Sequence, residues 1–250
     1  MKVKKGAVIS VIIVLLLIGG GFYYSLQLRN RARTDLARQI VSDGGGRWAR
    51  PDSVEELRRS IATYERRIQR YVQTAARRAN YWKLLGLHLQ QRGLHEDALQ
   101  AFQRAIDLLP EDAILHHHTG VSAAIRAKSF HIFPGREAPE RVQHFELAEQ
   151  AFLRAIDLDD RYTRPRYSLG VLYVFDLNRP EDAIEHLQRV LEVSRGDLEA
   201  MFVLARAFYM TDNFRSALEL FDRIIATSQD ERTRASAQNN REAVLRRIHG

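Results

Sequence analysis

The apolar residues in the range 79–112 recur every three or four positions, and this spacing places them on one face of a helix. Gly93 interrupts the pattern in its middle and Pro110 ends it, and both residue types commonly terminate helices. Small residues accompany the large Trp82 and Phe102, which leaves room for two helices to lie close together. The pattern predicts an antiparallel helical hairpin with helices of about fourteen residues each.

The hairpin pattern occurs four times, at 79–112, 113–162, 163–197 and 198–230. The second copy carries about sixteen extra residues between its helices, at about 128–143, and the third carries one extra residue near Asn178. Hairpins in such an array cover one another's apolar faces. A helix at 231–250 has a mostly polar outer side, so it is predicted to cap the array. Its inner face is predicted to carry Ala235, Ala243, Val244 and Ile248.

The residues at fixed positions of these copies resemble the signature of the tetratricopeptide repeat. The first copy matches at Trp82, Leu85, Gly86, Ala98, Phe102, Ala105 and Pro110. The fourth copy has Ala205 where the signature has glycine, a small change that still permits close packing. The resemblance covers residues 79 to about 230. It implies an all-α, right-handed solenoid of helical hairpins.

In the tetratricopeptide family, the first helices of successive repeats line a concave groove that binds protein segments. Transferred to this chain, the resemblance predicts a groove of Lys83, Leu87, His117, Val121, Ile125, Arg164, Tyr167, Val171, Phe175, Phe202, Arg206, Tyr209 and Met210. Its large apolar side chains suit an amphipathic helix or an extended peptide. Lys83, Arg164 and Arg206 are expected to orient that partner. We expect replacement of Tyr167 and Phe202 by alanine to weaken partner capture without unfolding the repeats.

Two features limit what this groove is expected to bind. Some family members clamp the C-terminal carboxylate of chaperones with lysine, asparagine and arginine side chains. Here Leu87, His118 and Ser168 stand where two asparagines and the last arginine would be, so this clamp is not expected. The alternative to partner binding is that the chain's own C-terminal helix fills the groove.

The first residues, MKVKK, precede an uncharged apolar run at about 6–28, which is long enough to cross a bilayer as a helix. We predict an uncleaved transmembrane signal-anchor at 1–28, because Phe22, Tyr23 and Tyr24 suit the membrane interface. A cleaved secretory signal ending near Gly19–Gly21 is the alternative. The expected location is a bacterial plasma membrane with a single pass. Basic residues flank both ends of the run, so the side of the soluble part stays open.

Residues 29–51 are basic and contain Gly44–Gly46, which predicts a flexible stalk. Alternatively, Arg47, Trp48 and Arg50 rest on lipid headgroups. An amphipathic helix is predicted at 52–78, with the apolar stripe Val54, Leu57, Ile61, Tyr64, Ile68, Tyr71 and Ala75. This stripe is expected to cover the edge of the first repeat or to pair in parallel with a second copy of the chain.

The other faces of this helix carry Arg58, Arg59, Arg66, Arg67, Arg70, Arg77 and Arg78. They are expected to be solvated, or to contact anionic lipid or an acidic partner. In the second repeat, the segment Phe130, His131, Ile132 and Phe133 is unusually apolar for a loop. It is expected to fold back on the repeats, or else to contact a partner.

Catalysis is not predicted for this chain. It has no cysteine, which excludes thiol nucleophiles and thiolate metal sites, and it contains no phosphate-binding glycine loop or zinc-protease motif. His116, His117 and His118 are adjacent, so on a helix they point about 100° apart and do not converge on a metal. No cofactor, metal or nucleic acid is expected. A net charge of +7 permits acidic partners without selecting one.

Overall fold

The computed structural model describes residues 53–130 and 138–249. These residues form nine α-helices: α1 (Val54–Gln91), α2 (His95–Ile106), α3 (Ala113–Lys128), α4 (Pro139–Leu158), α5 (Thr163–Val171), α6 (Pro180–Val193), α7 (Leu198–Met210), α8 (Phe214–Thr227) and α9 (Glu231–His249). A π-helical turn, Leu172–Asp176, continues α5. Within the described part, no helix is both long enough and apolar enough to span a bilayer. The predicted anchor at 1–28 and stalk at 29–51 lie outside the described residues.

From α2 onward, each helix packs against the next helix in the chain. The first hairpin closes where Trp82 and Leu89 of α1 pack against Phe102 of α2. A larger core follows, built on Phe152, Leu169 and Leu187. A third core lies under Met201, Phe221 and Val244. The all-α hairpin solenoid expected from the sequence is therefore what residues 66–249 form.

Close approach of paired helices depends on small residues at one recurring position. A Cβ atom added at Gly86 would lie 2.5 Å from the Phe102 ring, and one added at Gly120 would lie 2.5 Å from the Phe152 ring. Carbon atoms that are not bonded to each other do not approach this closely, so only glycine fits against these rings as they stand. In the fourth repeat, Ala205 occupies this position and is fully buried.

Three of the hairpin turns share a residue in the left-handed region, two positions before the second helix. These residues are Gly93 (φ 76°), Asn178 (φ 52°) and Asp212 (φ 56°). Such a residue ends a helix and reverses the chain, and glycine, asparagine and aspartate adopt this conformation most readily. The predicted break at Gly93 is confirmed by this turn.

The extra residue near Asn178 is absorbed by the π-helical turn at the end of α5. Within it, the Leu177 N–H donates to the Leu172 carbonyl at 3.0 Å, a bond to the fifth residue back. A π turn takes up one more residue than an α-helical turn. The turn carries Phe175, which is 58% exposed.

The first helix differs from its sequence prediction. Residues 52–78 were predicted as a separate helix from the first repeat, but α1 runs without a break from Val54 to Gln91. No glycine or proline stands between Val54 and Leu85, so nothing ends the helix there. The prediction that this stripe covers the edge of the first repeat is wrong, because Ile68 and Tyr71 are exposed.

The C-terminal helix α9 packs against α8 through a face that only partly matches the predicted one: Val244 is buried and Ala243 is half-buried, as predicted. Ala237 and Val244 are its buried residues, whereas Ala235 and Ile248 are exposed. Because α9 contains several alanines, its sequence is compatible with more than one weakly apolar stripe, and packing on α8 selects one of them.

The insertion in the second repeat starts at the end of α3 and extends into α4, which begins at Pro139 as predicted. Phe130 lies 4.3 Å from the Arg126 guanidinium and 5.3 Å from the His144 ring, measured to ring centroids. Phe130 therefore folds back on the repeat, as expected. Residues 131–137 lie outside the described part of the chain.

Candidate protein-binding surface

The first helices of the repeats form a concave surface with two cavities. The first cavity, called here the polar cavity, has a volume of about 500 Å³. Its walls come mainly from the first helices of four consecutive repeats, α1, α3, α5 and α7. They are lined by Gln90, His117, His118, Val121, Thr163, Arg164, Tyr167, Ser168, Val190, Asp197 and Glu199.

His117 joins two repeats within the wall of the polar cavity. Its Nε2 lies 3.2 Å from Ser168 Oγ, and its Nδ1 lies 2.8 Å from the Tyr162 hydroxyl. Burial lowers the pKa of His117 to about 4, and the charges of His118 and Arg164 add to this effect. The ring is therefore neutral at physiological pH. Since both ring nitrogens have partners, His117 supports the groove rather than contacting a ligand.

Gln90 and His118 connect α1 to α3. The Gln90 amide donates to Ser122 Oγ at 2.8 Å and to the His118 carbonyl at 3.1 Å, while its Oε1 lies 2.8 Å from His118 Nδ1. Burial, followed by the charges of Lys83 and Arg164, lowers the pKa of His118. This network satisfies the polar groups between the first two repeats.

Lys83 was predicted to orient a partner, but it already has one within the chain. Its ammonium group donates to Asp112 Oδ2 at 2.7 Å, and both side chains are 20% exposed. Asp112 also caps α3 by accepting from the Leu115 N–H at 3.1 Å. Burial acts to raise the pKa of Asp112, but these hydrogen bonds outweigh it and the pKa is lowered. Lys83 therefore holds the turn between the first two repeats.

Charges of both signs meet at the far side of the polar cavity. Arg164 is exposed there, and across the described residues it forms no ion pair. Asp197 caps α7 by accepting from the Ala200 N–H at 3.0 Å. Burial, with the negative charge of Glu199 next, raises the pKa of Tyr167. This cavity suits a polar ligand with mixed charges.

The second cavity, called here the aromatic cavity, has a volume of about 320 Å³. It lies between the π turn, α7, α8 and α9. Its lining is Phe175, Phe202, Val203, Arg206, Tyr209, Phe221, Asn240, Ala243 and Val244. Four of these, Phe175, Phe202, Arg206 and Tyr209, were predicted groove residues. The C-terminal helix forms a wall of the cavity and leaves it open.

The rim of the aromatic cavity carries one aromatic ring and one cation. Phe175 is 58% exposed, although contact between an aromatic side chain and water is unfavourable. The guanidinium carbon of Arg206 lies 5.5 Å from the centroid of the Tyr209 ring, and no carboxylate pairs with Arg206 anywhere in the part of the chain that the structure describes. By contrast, Phe202 is half-buried beside Phe221, with ring centroids 6.2 Å apart.

The remaining predicted groove residues divide between the concave surface and other environments. Val121 lines the polar cavity. Leu87, Val171 and Met210 pack against the hydrophobic cores. Ile125 lies in a separate cavity of about 300 Å³ beside Gly93 and Arg126, so it is not part of the groove.

Sequence reasoning missed three residues that α9 contributes to the aromatic cavity. They are Asn240, Ala243 and Val244. A signal for them was present: one repeat length of 34 residues after Leu198 starts a new count at Arg232. In this count they lie 34 residues after Arg206, Tyr209 and Met210, which are predicted groove residues of the fourth repeat. The C-terminal helix thus stands where the first helix of a fifth repeat would lie. Phe221, on a second helix, had no comparable signal.

The predicted basic face lies on α1 and is separate from both cavities. Arg58, Arg59, Arg66, Arg70, Arg77 and Arg78 are exposed and Arg67 is half-exposed. The described residues also contain no group of three or more histidine or acidic side chains that could hold a metal ion.

These observations define a class: an all-α array of helical hairpins with an open concave surface. Family models of the tetratricopeptide repeat match residues 54–113 and residues 174–239. The chain therefore contains tetratricopeptide repeats. These repeats form a non-catalytic scaffold.

Individual proteins with similar sequences or folds support this assignment. The chain is 21% identical to a TPR repeat-containing protein of Borreliella burgdorferi strain B31 over 209 residues, 84% of each chain. Among solved structures, YrrB, described as a TPR protein with an unusual peptide-binding site, has a TM-score of 0.54 at 20% identity, covering 67% of this chain and 76% of its own. MamA of Desulfovibrio magneticus RS-1 has a TM-score of 0.52 at 14% identity, covering 68% and 94%.

Proposed function

We propose that this protein is a membrane-anchored scaffold that captures a segment of a partner protein in its concave groove. The aromatic cavity provides the main contact, and the observation that carries this proposal is an open, ring-lined cavity with an exposed phenylalanine and an unpaired arginine at its rim. Ligand sites in proteins typically combine an apolar lining with a few well-placed polar groups.

The size and lining of the aromatic cavity favour one large apolar side chain as the anchor. A volume of about 320 Å³ is at the small end of ligand pockets, and it suits part of a peptide better than a whole cofactor. Burying an aromatic or leucine side chain there stabilises the complex, because apolar surface leaves water on both partners. Among the cavity residues, Phe175 should contribute most to this stabilisation, because its side chain is exposed before the ligand binds.

Arg206 defines the second feature of the proposed ligand. Its guanidinium lies over Tyr209 and has its charge available, so a carboxylate in the ligand can form a charge-assisted hydrogen bond with it. We therefore expect the partner segment to place an acidic side chain next to its apolar anchor. The peptide-binding site named for the structural relative YrrB is consistent with peptide recognition on this fold.

The membrane anchor in this proposal rests on the sequence of residues 1–28. An anchored chain would hold its partner at the membrane surface. Because the partner is confined there, its local concentration near the membrane rises. Bacterial plasma membrane remains the expected location.

The cavity can be tested with random peptides displayed on phage, selected on the full chain. We expect selected peptides to combine a large apolar residue with a neighbouring acid. Phe175→Ala and Arg206→Glu should each weaken their binding by about tenfold or more, because each removes a central contact. Fluorescence anisotropy with a selected peptide measures the loss. These exposed residues replace Tyr167 and Phe202 as test positions, since the latter two pack against the cores.

Matched controls separate the cavity from general surface effects. Tyr81→Ala removes an aromatic ring that is 73% exposed on α1, and Arg154→Glu reverses an exposed charge on α4. Both should leave peptide affinity unchanged. The proposal fails if selection enriches no peptide, or if the cavity variants bind as tightly as the controls.

The exposed arginines of α1 favour a second candidate function, in which they hold the chain on anionic lipid or an acidic protein and the repeats act as a spacer or a platform for dimerisation. Such attachment depends on charge and weakens as salt screens it. The two candidates differ in what keeps the chain at the membrane.

Washing native membranes distinguishes an anchor from charge-driven attachment. We expect the full chain to stay in the membrane pellet in about 1 M NaCl, where charge attraction is largely screened, and in alkaline carbonate. Immunoblotting of pellet and supernatant measures this. Release by salt alone would reject the anchor and support attachment through the arginines of α1. An integral membrane protein of known topology serves as the control.

A further inference from the structure

The apolar stripe of α1 is not covered by the described part of the chain. Among residues 54–65, Val54 and Ile61 are 64% and 55% exposed, and among residues 66–91, Ile68 is 56% exposed. A row of large apolar side chains in water is unfavourable, and contiguous exposed apolar surface commonly marks an interaction site. Beyond this stripe, α1 continues into the first repeat, where Ala79 is fully buried.

The spacing of this stripe is that of a coiled coil. Val54, Leu57, Ile61, Tyr64, Ile68, Tyr71 and Ala75 follow one another at alternating intervals of three and four residues. This places them at the a and d positions of successive heptads, a pattern that another helix of the same pattern complements. Arg78 occupies the next d position and ends the stripe.

We propose that α1 pairs with α1 of a second copy of this chain, in parallel and in register, as a two-stranded coiled coil over residues 54–75. The inference does not rest on the proposed groove function. The residues at the first three a positions, Val54, Ile61 and Ile68, are all β-branched, and Leu57 holds the first d position. β-Branched residues at a with leucine at d favour parallel pairs of helices.

The charges of α1 agree with this pairing. Beside the stripe, Ser60 and Arg67 occupy g positions, and Glu65 and Val72 occupy e positions. In a parallel pair, each g residue faces the e residue of the second copy five positions further on. In register, Ser60 faces Glu65 of the second copy and Arg67 faces Val72 of the second copy, so the pairing brings no like charges together there. Most of the arginines fall on outer positions instead: Arg59, Arg66, Arg70 and Arg77.

The absence of cysteine from the chain allows a direct test by disulfide crosslinking. Single-cysteine variants Leu57→Cys and Tyr71→Cys of the full chain, in detergent micelles, should crosslink to their own copies on mild oxidation. Arg59→Cys, on the outer face, should not. Crosslinking only in a mixture of Leu57→Cys with Ile68→Cys would indicate antiparallel helices and overturn the proposal, as would a lack of crosslinks at all positions.

A second measurement tests the pairing without cysteines. The double variant Ile61→Glu/Ile68→Glu places charges in the seam and should halve the protein mass measured by sedimentation velocity. Gln69→Glu/Gln73→Glu adds the same charges on outer positions and should leave the dimer intact. Since all four residues are exposed, circular dichroism should show folded repeats in both variants. A dimer that survives the seam charges would contradict this interface.

Discussion

Replacing Phe152 by alanine is expected to lower the free energy of unfolding by about 3–5 kcal/mol, the usual cost of removing a buried aromatic ring. The Phe152 side chain is 2% exposed and belongs to the main core with Leu169 and Leu187. It also fills the space that Gly120 leaves on α3. Loss of the ring therefore leaves a cavity between the two helices of the second repeat.

The position of Gly120 gives this prediction a quantitative check. Gly120→Ala alone should cost about 1–3 kcal/mol, because the new methyl group meets the Phe152 ring. In the double variant the methyl group enters the space that the ring has left. The combined loss should therefore be smaller than the sum of the single losses, as for residues in direct contact.

Urea denaturation followed by circular dichroism measures all three variants. Gly196→Ala is the matched control: a Cβ added at Gly196 meets nothing within 4 Å, so this variant should be as stable as the wild type or slightly more stable. Additive losses in the Gly120 and Phe152 variants would show that the two side chains do not interlock.

Lowering the pH from 7 to 4 is expected to destabilise the repeats by on the order of 3 kcal/mol through His117 alone. In the folded chain, burial lowers the pKa of His117 from 6.5 to about 4. The unfolded chain therefore takes up a proton below pH 6.5, whereas the folded chain does not until about pH 4. The contribution of the neutral His117 ring to the free energy of unfolding is therefore fully present above pH 6.5, and it is lost progressively as the pH falls from 6.5 to 4.

The variant His117→Gln isolates this contribution. It removes the titrating ring but keeps polar atoms that can reach Ser168 and Tyr162. Urea midpoints measured across this pH range should fall less steeply in the variant than in the wild type. Some slope should remain, because burial also lowers the pKa of His118 and His186. Equal slopes in both proteins would show that His117 titrates normally in the fold.

The helices were predictable from the sequence because the signals that define them are local. Gly93 and Pro139 mark helix ends, and small residues at Gly86 and Gly120 mark where helices touch. Each of these signals lies within a few residues of the structure that it determines. The length of α1 was not predicted, because a repeat template suggested a boundary where the chain contains no residue that ends a helix.

The binding surface was only partly predictable, since it depends on contacts between repeats. Position within a helix predicted Phe175, Arg206 and Tyr209 as groove residues, and all three line the aromatic cavity. The same rule could not show that Lys83 forms an ion pair with Asp112, or that both ring nitrogens of His117 form hydrogen bonds, to Ser168 and Tyr162. Those pairings join residues 29 to 51 positions apart, and a one-dimensional pattern does not specify them.

The π turn of Leu172–Asp176 bears on how such arrays diverge. An additional residue inside a regular helix would rotate everything beyond it by about 100°, yet here the surplus is taken up before Pro180, and Leu187 still meets Gly170 across the hairpin. An insertion confined in this way leaves later units in phase. One unit of the chain thus carries an extra residue beside the exposed ring of Phe175, while the neighbouring hairpins keep their mutual fit.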